Sequence, residues 1–284
     1  MKGMTMQANK FEKISATDLK EKCRWVRAET LKIHKIAPGI RVASALSCVE
    51  ILVALHYGEI LQCNPEKPFD EYRDRFIISK AHGTVSYYPI LADLGYFPKD
   101  QLAKVGKSGS ILGDIPDNSI PGYETINGSL GHGLGVACGL ALALKTKGSD
   151  RSVYVLLGDG ELNEGSVWEA IMFAGQHKLD NLVLIIDNNK ICMLDYCSKI
   201  INLEPIEDKF GCFGWEHFSA DGHDIEKLHA VLSEASCLHA GKPKVVIANT
   251  IKGKGVPKLE GDSLCHIRAL KPEEIDALTG GNHP

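Results

Sequence analysis

The stretch YVLLGDGELNEGSVWEAIMFAGQHKLDNLVLIIDNNKICMLD, residues 154–195, reads as strand, glycine-rich turn, helix, strand and turn. The apolar run 153–157 is short and bounded by glycine, as a strand buried in a parallel sheet is. Gly158-Asp159-Gly160 stops it. Asn163 then predicts the N-cap of a helix reaching about His177, with Trp168, Ile171 and Phe173 among its apolar residues. Residues 181–186 form a second strand that ends in Asp187-Asn188-Asn189. Asp159 and the Asn188-Asn189 pair therefore fall at the carboxyl ends of neighbouring parallel strands, where open α/β sheets bind their ligands.

These residue types suit a hard cation that carries a diphosphate. Asp159 offers a carboxylate, Asn189 an amide oxygen, and the backbone beyond the second turn a carbonyl. Mg²⁺ takes near-octahedral oxygen and completes its sphere with phosphate and water; Ca²⁺ or Mn²⁺ accepts the same donors. Gly158 and Gly160 lack the Cβ atoms that would keep backbone N–H groups from phosphates, and a helix start lies close by. Taken alone, GDG is also ordinary turn chemistry. The NN pair after a second strand is what makes the reading specific.

Outward from this unit, the chain has 284 residues, 44% hydrophobic and 24% charged, and a net charge of −4. That composition is globular and suggests neither a nucleic-acid nor a membrane partner. No run approaches the ~18 apolar residues of a membrane span. The start, MKGMTMQANKFEK, lacks the apolar core of a secretory signal. Nine cysteines without a CxxC pair read as reduced thiols in the cytoplasm, some of them (Cys48, Cys138) on apolar helical faces.

Residues 1–15 read as a polar lead-in. A helix follows to about Ile36, then a loop over 40–45, then a helix capped by Ser47. Residues 76–79 form a strand that delivers Lys80, Ala81 and His82 to its carboxyl end, and a helix runs on through Leu94. Residues 98–125 have little periodicity and much Gly, Pro, Ser and Asp, which suits a functional loop. A glycine cluster at 128–135 opens a helix that ends near Lys147. Beyond the central unit come a strand at 215–219, a helix at 224–239 and a strand at 245–249. The alternation predicts one α/β domain over 1–284: three layers, a mostly parallel sheet with helices on both faces.

The GDG…NN unit resembles the thiamine diphosphate motif in its transketolase form. Residues 73–83 (RDRFIISKAHG), 128–143 (GSLGHGLGVACGLALA) and 221–224 (DGHD) extend the similarity over roughly 19–272. The chain resembles the N-terminal, diphosphate-binding half of transketolase, as found where the enzyme is split into two polypeptides. The resemblance implies a metal held by Asp159, Asn189 and the Ile191 carbonyl. It implies cofactor contacts from His82, Gly128, Leu130, Gly158, Asp159, Gly160 and Asn189, and catalytic roles for His82, His266 and Glu164. Glu164 falls where the family has a glutamate at the subunit contact. His132 is expected to orient loops near the substrate.

Two departures bear on substrate. Arg41, in GIRVASALS, stands where the family carries a histidine after the first helix. Asp114 or Ile115, in LGDIPDNSIPGYE, stands where the long loop carries another. Both family histidines contact substrate hydroxyls, so a 2-oxo acid carboxylate, forked by Arg41, competes with a sugar phosphate as donor. The glutamate that activates the cofactor belongs to the C-terminal half in this family. A partner chain is therefore expected to supply it, in an α2β2 heterotetramer, and the chain alone to be inactive. The expected reaction is transfer of a two-carbon ketol or acyl unit to an aldehyde. A pyruvate-decarboxylating acyloin synthase on the same scaffold is the near alternative. A non-catalytic cofactor-binding or regulatory subunit is the alternative of another class. The glycine cluster also admits a nicotinamide dehydrogenase, but no strand clearly precedes it as that fingerprint requires.

Overall fold

The computed structural model describes residues 15–280. The expected lead-in lies outside the described residues except for its last member, Ser15. That serine accepts from the Asp18 amide while the Asp18 carboxylate accepts from Ser15 N, a capping box that starts α1 (Ala16–Ile36). The order continues with α2 (Val42–Leu46), α3 (Val49–Tyr57), β1 (Arg75–Ile78), α4 (Thr84–Leu94), α5 (Gly133–Thr146), β2 (Val153–Gly158), α6 (Gly165–Gln176) and β3 (Leu182–Asn188). A small antiparallel hairpin follows, β4 (Ile191–Cys192) with β5 (Asp195–Tyr196), then α7 (Cys197–Ile200) and α8 (Ile206–Cys212). The chain ends through β6 (Glu216–Asp221), α9 (Ile225–Cys237), β7 (Lys244–Asn249) and α10 (Pro272–Thr279).

The sheet is fully parallel, in the order β1-β2-β3-β7-β6. Its side chains alternate between two separate cores. Phe76, Ile78, Tyr154, Leu156, Val183 and Ile185 face α1, α3, α4 and α9. Ile77, Val155, Leu157, Leu184, Ile186 and Ile247 face α5, α6 and α8. The near-continuous apolar reading of the central strands follows from burial on both faces. The expected three-layer α/β arrangement is borne out.

Four local expectations are corrected. Asn163 does not cap α6: a 3₁₀ turn spans Asp159–Asn163, and the Asn163 amide donates to the Gly160 carbonyl. The turn tightens because the Glu161 carboxylate is drawn inward, accepting from Ser79 Oγ and from the Gly131 amide at 2.9 Å. The expected loop at 40–45 contains α2, whose five residues are all buried, so packing sets its conformation. Ser47 closes α2 rather than opening α3, whose N-cap is Cys48; its hydroxyl donates to Asp187 at 2.6 Å and lies 3.1 Å from the Ser44 carbonyl. The second strand of the central unit runs two residues further than expected, to Asn188, because β7 pairs with it that far. The hairpin, α8 and α10 are too short for periodicity to reveal.

His56, on α3, is buried among Phe76 and Tyr87, with Nδ1 2.9 Å from the Leu52 carbonyl and Nε2 3.0 Å from Tyr87 Oη. Burial pulls its pKa down from 6.5 to about 4. The unfolded chain therefore binds a proton on this ring at a higher pH than the folded chain does. Its stabilising contribution is complete above pH 6.5 and is lost as the pH falls towards about 4. Urea titrations across this window are expected to show stability falling with pH, by up to about 3 kcal/mol from this one group. The His56→Gln variant should show a shallower acid slope, and an unchanged slope would contradict the assignment.

Candidate active site at the carboxyl edge of the sheet

The strand ends of β1, β2, β3 and β7 deliver Lys80 and His82, Asp159, Asn189 to Ile191, and Lys252 to one edge. Their common anchor is Asp187, the next-to-last residue of β3 and wholly buried. It accepts from Ser47 Oγ, Thr250 Oγ1 and Lys80 Nζ, while Lys80 also donates to the Ser44 carbonyl at 3.0 Å. Burial alone would raise the Asp187 pKa and lower that of Lys80. Their mutual attraction wins in both, holding the carboxylate low and the ammonium high.

Asp159 sits beside this pair, 5% exposed. One carboxylate oxygen accepts from the Gly160 amide at 2.8 Å and the other from the Lys190 amide. Burial, then the neighbouring Asp187, raises its pKa to about 6. Each oxygen keeps a lone pair, so the group is an acceptor in want of a cation. Asn189 folds back as an Asx turn, its Oδ1 accepting from the Ile191 amide at 3.2 Å. The Ile191 carbonyl accepts from Lys252 Nζ at 2.9 Å. An ammonium thus rests on one of the three oxygens expected to hold a metal. The carboxylate, amide and carbonyl oxygens are the donor types a hard divalent cation takes, while burial and the neighbouring Lys80 lower the pKa of Lys252. Lys252 escaped the sequence reading. The signal was present, a basic, glycine-rich IKGKG directly after an apolar strand.

Gly160 acts differently from expectation, and Gly131 has a role no motif announced. A Cβ on Gly160 would stand 2.9 Å from Cys192 Sγ, so this glycine first of all admits the β4 hairpin. Gly131, at φ +85°, lets its turn pass under Glu164, whose Cβ would be 2.6 Å from a Cβ there. A Cβ on Gly158 would meet Lys80 Cβ at 3.9 Å, an ordinary contact. Gly128 (φ +127°) and the exposed Leu130 lie on the same turn, docked on β1 through Asn127 Nδ2, which donates to the Ile78 carbonyl at 2.8 Å.

His82 and His266 meet edge to face, ring centroids 5.1 Å apart, and Ser44 Oγ lies 3.1 Å from His266 Nδ1. Burial, then Lys252, drives the His266 pKa down to about 3. Burial also lowers that of His82, against the pull of Asp114. Asp114 Oδ2 is 3.7 Å from His82 Nε2, and its Oδ1 accepts from the Arg41 amide at 3.4 Å. Ile115 leans on Gly128 instead, its Cγ2 3.3 Å from a Cβ there. Arg41 is close enough to depress both histidines, yet forms no ion pair among the described residues. Two expected residues lie apart from this cluster. Glu164 is exposed on the rim before α6, and His132 lines a surface groove between α5 and α6.

Residues 26–281 match the family model described as transketolase, thiamine diphosphate binding domain. The chain is 40% identical over 265 residues to one subunit of the apulose-4-phosphate transketolase of Actinobacillus succinogenes, covering 93% of this chain and 95% of that protein. It is 38% identical over 258 residues to 6-deoxy-6-sulfo-D-fructose transketolase subunit SqwG of a Clostridium species, covering 90% and 93%. Among solved structures, transketolase from Campylobacter jejuni superposes with a TM-score of 0.87 at 30% identity, over 94% of this chain and 43% of that one. No described helix is long and apolar enough to cross a membrane. The chain belongs to the transketolase family and corresponds to the separate N-terminal, thiamine diphosphate-binding subunit of a split transketolase.

Proposed function

We propose that this subunit binds thiamine diphosphate through Mg²⁺ and, with a partner chain, transfers a two-carbon ketol unit from a ketose to an aldehyde. The observation that carries this reading is the convergence of Asp159, Asn189, the Ile191 carbonyl and Lys252 beside the His82–His266 pair. Thiamine diphosphate, when bound, supplies the carbanion chemistry. The chain's own residues have other tasks. Asp159, Asn189 Oδ1 and the Ile191 carbonyl would ligate the metal. Lys252 would leave that carbonyl for the diphosphate, matching its charge. His82 and His266, neutral near pH 7, would exchange protons with substrate oxygens or orient them. His132 and Glu164 would shape the rim, with Glu164 at the contact to the next subunit.

The partner would carry the pyrimidine-binding half and its activating glutamate, in an α2β2 assembly. The names of the two relatives, both subunits, support a second chain. Nine unpaired cysteines suit a reducing compartment, and we place the enzyme in the cytoplasm.

Asp114 favours a ketose over a 2-oxo acid as donor. Its carboxylate faces His82 with lone pairs to spare, so it welcomes a hydroxyl and repels a carboxylate. Arg41 supports the second reading, pyruvate decarboxylation, by placing positive charge beside the same histidines.

Three outcomes are expected. Calorimetry should show Mg²⁺-dependent binding of thiamine diphosphate that weakens by at least ~100-fold in Asp159→Ala; binding as tight as wild type would remove the central assignment. The purified chain should turn over no donor until a co-purifying C-terminal-half chain is added, and activity of the chain alone would refute the split. In the reconstituted enzyme, a ketose phosphate should be preferred to pyruvate as donor by ~10⁴ in kcat/KM. Asp114→Ala should erode that preference; a wild-type enzyme that prefers pyruvate would establish the acyloin reading instead.

A further inference from the structure

The turn that carries Lys252 is gripped from both sides by one buried carboxylate. Glu50, on α3, is 7% exposed and pairs with Arg27 of α1, whose Nη2 lies 2.9 and 3.2 Å from its two oxygens. The other arm of Arg27 reaches the far side of the turn, Nε donating to the Lys254 carbonyl at 2.9 Å. Glu50 Oε2 also lies 3.1 Å from Nδ1 of His223, in the turn between β6 and α9. His223 Nε2 accepts from the Ile251 amide at 2.8 Å. An accepting Nε2 is unprotonated, so the ring proton sits on Nδ1 and points at Glu50.

The turn has further restraints: Gly255 N donates to Glu260 Oε1 at 2.8 Å and Val256 N to the Gly253 carbonyl at 3.1 Å. Gly253 N donates to the Ala43 carbonyl at 3.0 Å, and Lys254 N to the Ile251 carbonyl at 3.2 Å. Gly255, at φ +88°, has no Cβ; one placed there would stand 2.4 Å from Arg27 Cδ. The close passage of Arg27 thus requires this glycine. The backbone before and after Lys252 is hydrogen-bonded to two side chains that share one counter-charge. The Lys252 side chain itself points away, to the Ile191 carbonyl.

We propose that His223, Glu50 and Arg27 are positioning residues for Lys252. They hold the 251–254 turn at the register that places its ammonium over the metal–diphosphate site. His223 is the sensitive member, because only the Nδ1–H tautomer serves both Glu50 and Ile251. Glu50 selects that tautomer. The inference rests on the proposed role of Lys252 towards the diphosphate and assigns it a support outside the pocket.

The test is a double-mutant cycle on the full chain, with magnesium pyrophosphate as the calorimetric probe. His223→Phe keeps the ring volume but neither accepts nor donates. It is expected to weaken pyrophosphate binding by ~10-fold, while His223→Asn, which can accept from Ile251 and donate to Glu50, restores most of it. In a Lys252→Met background the same His223→Phe change should alter affinity by less than ~2-fold, because its effect passes through the missing ammonium. Thermal unfolding of each variant separates this from general destabilisation. An undiminished His223→Phe effect without Lys252 overturns the inference, as does failure of His223→Asn to recover binding while it remains folded. Pyrophosphate affinity unchanged in Lys252→Met alone instead overturns the proposed role of Lys252, and absence of wild-type binding overturns the metal–diphosphate site itself.

Discussion

The buried pair Lys80–Asp187 is the constraint on which the carboxyl edge of the sheet depends. Removing two charges from water costs several kcal/mol each, and only close contact with further hydrogen bonds offsets it. Here those bonds come from four separate segments. Lys80 follows β1, Asp187 lies near the end of β3, Ser44 and Ser47 lie in and just after α2, and Thr250 follows β7. Satisfying one carboxylate and one ammonium therefore fixes four chain segments against one another. Were Lys80 neutral, Asp187 and Asp159 would stand as two unpaired acids in low dielectric, and one would have to take up a proton.

Charge at this edge is left unbalanced. Lys80 answers Asp187, but Asp159 has two backbone amides and the Cys197 thiol for partners and a pKa raised to about 6. Lys252 provides partial relief from across the site, and burial beside Lys80 in turn lowers its own pKa. Such an arrangement is poised for a divalent cation and an anion to arrive together, each meeting the unanswered charge of one of these groups. The same logic explains the two histidines. Burial first, and then Lys252, Arg41 and Lys80, lower both pKa values, so near neutral pH the two rings are neutral hydrogen-bonding partners.

Much of this was legible in the residues. GDG and NN are legible as the acid and amide of the candidate site because each ends an apolar strand, and strand ends are local features. His82 was found on the same ground. Asn163 misled because the competition for it was not local: Glu161 is drawn inward by Ser79 and Gly131, residues distant in sequence, and the turn tightens around it. The segment 40–45 reads as loop because its helical conformation comes from burial against the rest of the chain rather than from propensity. The basic, glycine-rich IKGKG after a strand flags this turn, but it does not say which of its two lysines turns inward. Only the carbonyl that Lys252 finds, on Ile191, makes that distinction.

By itself the sequence determined the layer order, the parallel sheet, the sheet edge that carries the candidate site and the residues that begin the turns there. These depend on hydrophobic period, glycine placement and strand termination, all read within a window of a few residues. Tertiary structure alone decided which charges meet. Asp114 stands opposite His82, and His223 braces the Lys252 turn through Glu50. Lys80 and Asp187 are 107 positions apart in sequence, and His223 and Glu50 173. The physical reason is range. Backbone conformation is chosen by neighbours along the chain, whereas the energy of a buried charge is set by whatever the fold brings within a few ångströms of it.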